Sequence, residues 1–107
     1  MQAFQLHELE NQAAEHNRSY YEFLGVPAMS LGLYSLGAGK PDLQSPHKQD
    51  EVYYVLSGKA KLDVNGKLEN AIPGCVLYVE AGATHKFVDI EENLELLVFF
   101  APAENEK

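Results

Sequence analysis

The chain has one cysteine, few basic residues and no long apolar run, and each shortage removes a class of protein. Cys75 has no partner for an internal disulfide, and its apolar setting in GCVLYV reads as a small buried core residue rather than a catalytic thiol. Eight Lys and Arg stand against sixteen Asp and Glu, a formal charge of −8 that repels phosphate backbones and anionic headgroups. Neither nucleic acid nor a membrane surface is therefore an expected partner. No stretch approaches the roughly 20 apolar residues needed to cross a bilayer. The start, MQAFQLHELENQ, is acidic and lacks the basic and apolar pattern of a secretory signal, which makes a cytoplasmic location the expectation. With 107 residues there is room for one domain and one core, and no internal repeat or low-complexity tract divides them.

What the chain does have is a series of short strand-like runs. In residues 1–18, Leu6, Leu9 and Ala13 recur at helical spacing and suggest a short helix or an ordered lead-in. From Tyr20 onward about eight runs rich in Val, Leu, Tyr and Phe follow, each closed by Gly, Pro or Asn. SYYEFL and SLGLYSL are split by Gly25 and Pro27, and EVYYVLS is expected to end at Gly58. KAKLDV and KLENAI are joined by Asn65-Gly66, a pair that accepts positive φ, so they should form an antiparallel hairpin. VLYV, HKFVDI and ELLVFFA complete the series, divided by Glu80-Ala81-Gly82 and by Glu91-Glu92-Asn93. No segment after residue 24 reads as a helix. The fold class is all-β, a sandwich or barrel, and a jelly roll closes its edges well at this length. The expected division is a lead-in at 1–24, a barrel at 25–102 and a flexible tail at 103–107.

Four histidines occur. His7 and His16 lie in the acidic N-terminal segment and are read as surface residues, whereas His47 and His85 lie where loop and strand alternate. If the chain around His47 is extended, Ser45, His47, Glu51, Tyr53 and Val55 share one face, and Val52, Tyr54 and Leu56 take the other. An imidazole and a carboxylate then run into an apolar surface, where an unpaired charge is costly and a cation between them would remove the cost.

The glycine spacing sharpens this. Gly39 is followed by five residues, then Ser45, Pro46, His47, three residues, Glu51, six residues and Gly58. Gly74 is followed by five residues, then Glu80, Ala81, Gly82, two residues, His85, three residues and Asp89. Fifteen residues separate Gly58 from Gly74. This pair of motifs resembles the two motifs of the cupin superfamily, and the short spacer resembles compact single-domain cupins. Three departures stand out: Ser45 replaces the first histidine, Glu80 a proline and Asp89 an asparagine.

The resemblance implies a double-stranded β-helix (jelly-roll) barrel that holds one divalent metal ion through His47, Glu51 and His85. Two imidazoles and one carboxylate favour Fe(II) and are compatible with Zn, Mn, Ni or Co. Ser45 is too short to replace imidazole, so its position is left to water or substrate, or Gln44 or Gln49 swings in. Tyr53, two residues past Glu51, is the candidate catalytic or orienting group, and Tyr78, Phe87, Val98 and Phe100 are candidates for an apolar cavity wall. The expected function is a metal-dependent enzyme acting on a small organic molecule, a dioxygenase or else an isomerase or lyase. The alternative is a non-catalytic small-ligand-binding or structural cupin. The outward face at Val52, Tyr54 and Leu56 needs covering, and the resemblance implies a homodimer.

Overall fold

The computed structural model describes residues 1–17 and 19–104. Among these residues one helix, α1 (Leu6–His16), precedes six strands: β1 (Tyr20–Val26), β2 (Met29–Leu36), β3 (Asp50–Val64), β4 (Lys67–Ala71), β5 (Val76–Val79) and β6 (His85–Ala101). All pairings are antiparallel in the order β1-β2-β6-β3-β4, with β5 also on β3. Among the described residues no helix is long and apolar enough to cross a membrane.

Eight runs become six strands because two pairs fuse. EVYYVLS and KAKLDV form the single strand β3, and HKFVDI and ELLVFFA form β6; the register between them slips three times from Val55 to Lys61. Such slips are bulges or related irregularities, which bend and twist a strand without ending it. Gly58 sits in this stretch at φ 98, and a Cβ there would collide with the carbonyl oxygen of Asn93. It is a point of close strand contact, not a terminator.

The bend closes the sheet on itself. Phe87 pairs with Leu62, nine residues along β3 from Tyr53, so in a flat sheet the two would stand roughly 30 Å apart. Their rings instead meet edge to face at 5.0 Å inside the core. The enclosed cluster takes Tyr53 and Val55 from β3, Phe87, Leu96, Val98 and Phe100 from β6, and Val79 from β5. The hairpin expected at Asn65-Gly66 is present: both residues have positive φ, and Val64 pairs with Lys67.

Helix α1 packs on β1 and β2 and buries Leu9. Strand β1 begins at Tyr20 and pairs with β2 along its length, so the paired sheet starts ahead of the boundary drawn at residue 24. The tail expected to be loose from 103 is anchored at its first two residues. Ala103 is buried and its N–H approaches Pro27 O, while Glu104 N donates to Ser30 Oγ at 2.9 Å. The remainder of that expectation, 105–107, lies outside the described residues.

Candidate metal centre

Glu51, the second residue of β3, has Val79 on one side and Phe100 on the other in the sheet register. Alternation along β3 drives Glu51, Tyr53 and Val55 inward and leaves Tyr54 outside, as the pattern predicts. The carboxylate is thus fixed among apolar neighbours. Its residue is 1% exposed, and neither oxygen receives an aligned hydrogen bond.

His85 opens β6 directly opposite. Its turn is brought there by Gly82, whose N–H donates to the carbonyl of His47 at 2.7 Å, tying the two halves of the motif pair together. Nδ1 of His85 lies 2.9 Å from Ala83 O, and because a carbonyl only accepts, Nδ1 carries the proton. Nε2 therefore points its lone pair inward, 2.8 Å from Glu51 Oε1.

His47 repeats the arrangement from the loop before β3. Nδ1 lies 3.2 Å from Glu104 Oε2, again an acceptor, so this nitrogen holds the proton and Nε2 faces the centre. The ring rests on Phe100 at 5.0 Å and beside His85 at 5.6 Å. A carboxylate behind a ligating imidazole fixes its tautomer and raises its basicity.

The donor atoms of His47, Glu51 and His85 lie within 4.8 Å of one another. A divalent ion bound at about 2.1 Å holds neighbouring donors roughly 3 Å apart, close to the spacing between Nε2 of His85 and Oε1 of Glu51. Two imidazole lone pairs and a buried carboxylate without an aligned donor constitute a site that demands positive charge. These residues fit a divalent cation.

Protons compete for the same place. Hydrogen bonding to Glu104 leads in raising the proton affinity of His47, against the opposing effect of burial. At His85 burial is the largest influence and lowers it, but the nearby Glu51 carboxylate, ready to accept a second ring proton, the Ala83 carbonyl and the charge of Asp42 together outweigh burial, and the pKa rises. Burial, then the charge of Glu51, pushes the Tyr53 phenol upward, so it stays neutral and can only donate or accept a hydrogen bond. Its hydroxyl lies 3.1 Å from Gln44 Oε1 and 3.1 Å from His85 Nε2.

Three expectations need correction. Ser45 is exposed rather than sharing the inner face, because residues 45–49 do not continue β3 as an extended strand. Tyr78 is 64% exposed and stands apart from the cavity beside the centre; it pairs with outward-facing Val52, while its neighbours Leu77 and Val79 turn inward. Cys75 is only partly buried, packed at the edge of the core with Sγ 3.4 Å from Asn70 O. Of the two glutamines considered for the vacant position, Gln49 turns away toward the carbonyls of Ala103 and Glu104, and Gln44 turns in. His7 and His16 are on the surface, as expected.

Beside the centre opens a cavity of about 550 Å³ bounded by Tyr34, Leu36, Gln44, His47, Val98 and Phe100. That volume suits a small organic molecule. Sequence reasoning missed Glu104, which lies in an expected tail, and Asp42, one polar residue in a polar loop. Nothing local marks Glu104, whose partner His47 is remote in the chain, and Asp42 stands out from the other polar residues of its loop only once Phe87 N, far along the chain, is seen to donate to it.

Comparisons with known proteins agree on one family. A family profile for the cupin domain matches residues 32–100. The uncharacterized protein SCO3923 of Streptomyces coelicolor is 48% identical over 105 residues, covering 98% of this chain and all of that one. The crystal structure of TT1209 from Thermus thermophilus superposes with a TM-score of 0.77 at 25% identity, over 96% of this chain and 99% of that one. An RmlC-like cupin family protein with a double-stranded β-helix fold from Methanocaldococcus jannaschii gives 0.70 at 16% identity, over 78% of each chain. With both glycine-spaced motifs in place, the profile match across the barrel and a full-length relative at 48% identity, the chain belongs to the cupin family, as a small single-domain member.

Proposed function

We propose that the protein holds one divalent cation through His47, Glu51 and His85 and is a metal-dependent enzyme acting on a small organic molecule, foremost an oxygenase. One observation carries this reading: the buried Glu51 carboxylate, without an aligned donor, faces inward-turned imidazole lone pairs beside a cavity. When bound, a redox-active ion would supply electrons to O2, and any of Fe, Zn, Mn, Ni or Co would polarise a substrate oxygen. The chain's own residues do the rest. Ala83 O and Glu104 hold the two imidazoles in the ligating tautomer. Leu36, Val98 and Phe100 keep water from one side of the cavity. The neutral Tyr53 hydroxyl orients groups at the centre and is the catalytic candidate.

Anaerobic loading with Fe(II), followed by oxygen uptake across a panel of small aromatic, enolic and hydroxy-acid substrates, tests the oxygenase. Uptake that depends on both iron and substrate supports it. Turnover only with Zn(II) or Mn(II) and no oxygen consumption transfers the reading to an isomerase or lyase.

The exposure of Ser45 favours a second reading, since the chain offers one histidine fewer than the family motif and can serve as a non-catalytic ligand-binding cupin. A ligand that raises the melting temperature without turnover on any metal selects it. We also propose a homodimer, supported by the outward row of Tyr54, Val76 and Tyr78 at 38%, 66% and 64% exposure.

A further inference from the structure

The geometry points to Gln44 as a fourth protein donor to the cation, through Oε1, with Asp42 as the residue that aims it; this rests on the metal-binding reading above. Oε1 of Gln44 lies 3.4 Å from His47 Nε2 and 3.2 Å from His85 Nε2. With the protons of both imidazoles committed to Glu104 and to Ala83 O, these contacts set lone pair against lone pair. Together with Glu51 Oε1, four acceptor atoms converge, and the Tyr53 hydroxyl, donating to Gln44 Oε1 at 3.1 Å, brings a single proton to them. Acceptors crowded in this way repel one another unless a cation lies among them. A carbonyl oxygen has two lone pairs, one for Tyr53 and one for the ion.

The amide cannot turn round to relieve the conflict. Gln44 Nε2 donates to Asp42 Oδ2, and rotation would set an oxygen against that carboxylate. Asp42 is itself buried and fixed by three further donors: the Tyr34 hydroxyl at 2.7 Å, Phe87 N at 2.8 Å and Gln44 N at 3.3 Å. A carboxylate so fully satisfied is a rigid mount. Gln44 therefore takes up, from one residue earlier in the chain, the function that the exposed Ser45 gives up. The protein's donor set becomes two nitrogens and two oxygens, and an octahedral ion would keep two positions for ligand instead of three.

The test uses the full chain, labelled with 13C and 15N and titrated with Zn(II), and follows the Gln44 side-chain carbonyl by NMR beside the ring nitrogens of His47 and His85. The expected result is that all three respond together at one equivalent, and that Gln44→Leu binds Zn(II) about tenfold or more weakly in chelator competition. Histidine signals that move while the Gln44 carbonyl does not would overturn the inference and leave the metal reading intact. Equal affinity in a folded Gln44→Leu also overturns it. No response from either histidine removes the metal reading, and this inference with it. Because the labelled wild-type protein carries the first measurement, the test holds even if the variant fails to fold.

Discussion

Nε2 of His85 and Oε1 of Glu51 lie 2.8 Å apart, both side chains 1% exposed, with the imidazole proton on the far nitrogen. Such a pair is held together only by a charge supplied from outside it, a second proton or a metal ion. Without one, the buried carboxylate is a cost to the fold. Glu51→Gln removes the charge and offers an amide proton to the facing lone pair. With chelator present, the variant should be more stable to urea than wild type by about 1–2 kcal/mol, while losing the stabilisation that added metal gives wild type. A chelator-treated variant less stable than wild type would show that the carboxylate has a partner already.

Glu104 reaches the centre only because Ala103 and Glu104 are strapped to the barrel by Pro27, Ser30 and Gln49. Its carboxylate orients His47 from behind, through Nδ1. Glu104→Gln should therefore weaken metal binding by roughly 10-fold to 100-fold, with little change in the stability of the metal-free protein. Competition with a chelator of known affinity gives the first quantity and urea denaturation the second.

How far the sequence could be read depended on how local each cause was. Inward placement of Glu51 and Tyr53 follows from two-residue alternation, and the Asn65-Gly66 hairpin from positive φ at adjacent residues. Both were legible. The joining of eight runs into six strands was not, because a glycine that stops a strand and one that permits a bulge look alike until the opposite strand is known. Gly58 is the second kind, packed against the Asn93 backbone. Glu104 was invisible for a related reason, because it gains its function from His47, tens of positions away; Asp42 aims its near neighbour Gln44, but the Phe87 N–H that helps to fix it comes from far along the chain.

Gly58 also supplies a test of the bend that closes the barrel. With φ at 98 and a carbonyl oxygen where Cβ would stand, Gly58→Ala combines backbone strain with a collision that only backbone movement relieves. The expected loss is about 3 kcal/mol, read from the urea midpoint. Gly66→Ala, where nothing lies within 4 Å of the added atom, isolates the strain and should cost less.

The outward row on β3 and β5 places Tyr54 beside Val76 and Val52 beside Tyr78. If this face covers a second copy, Val76→Lys should shift sedimentation from dimer to monomer at micromolar concentration without altering the circular dichroism of the fold. A wild-type protein that sediments as a monomer under the same conditions removes the dimer.

Glu10 on α1 and Glu95 on β6 share a hydrogen bond between carboxyl groups, and burial, then that bond and the charge of Glu10, push the Glu95 pKa up to about 7 from an ordinary 4.5. The folded chain thus holds this proton more tightly than the unfolded chain. Its contribution to stability is complete below about pH 4.5 and is lost as pH rises through about 7, where the two carboxylates repel across the seat of the helix. Because Glu95 is only partly buried, solvent screening reduces the effect to about 1 kcal/mol. Glu95→Gln should match wild type near pH 4.5 and exceed it by about that amount at pH 8, measured by urea denaturation in metal-free buffer. Parallel profiles for the two proteins across that interval would mean that the pair is not sharing a proton in solution.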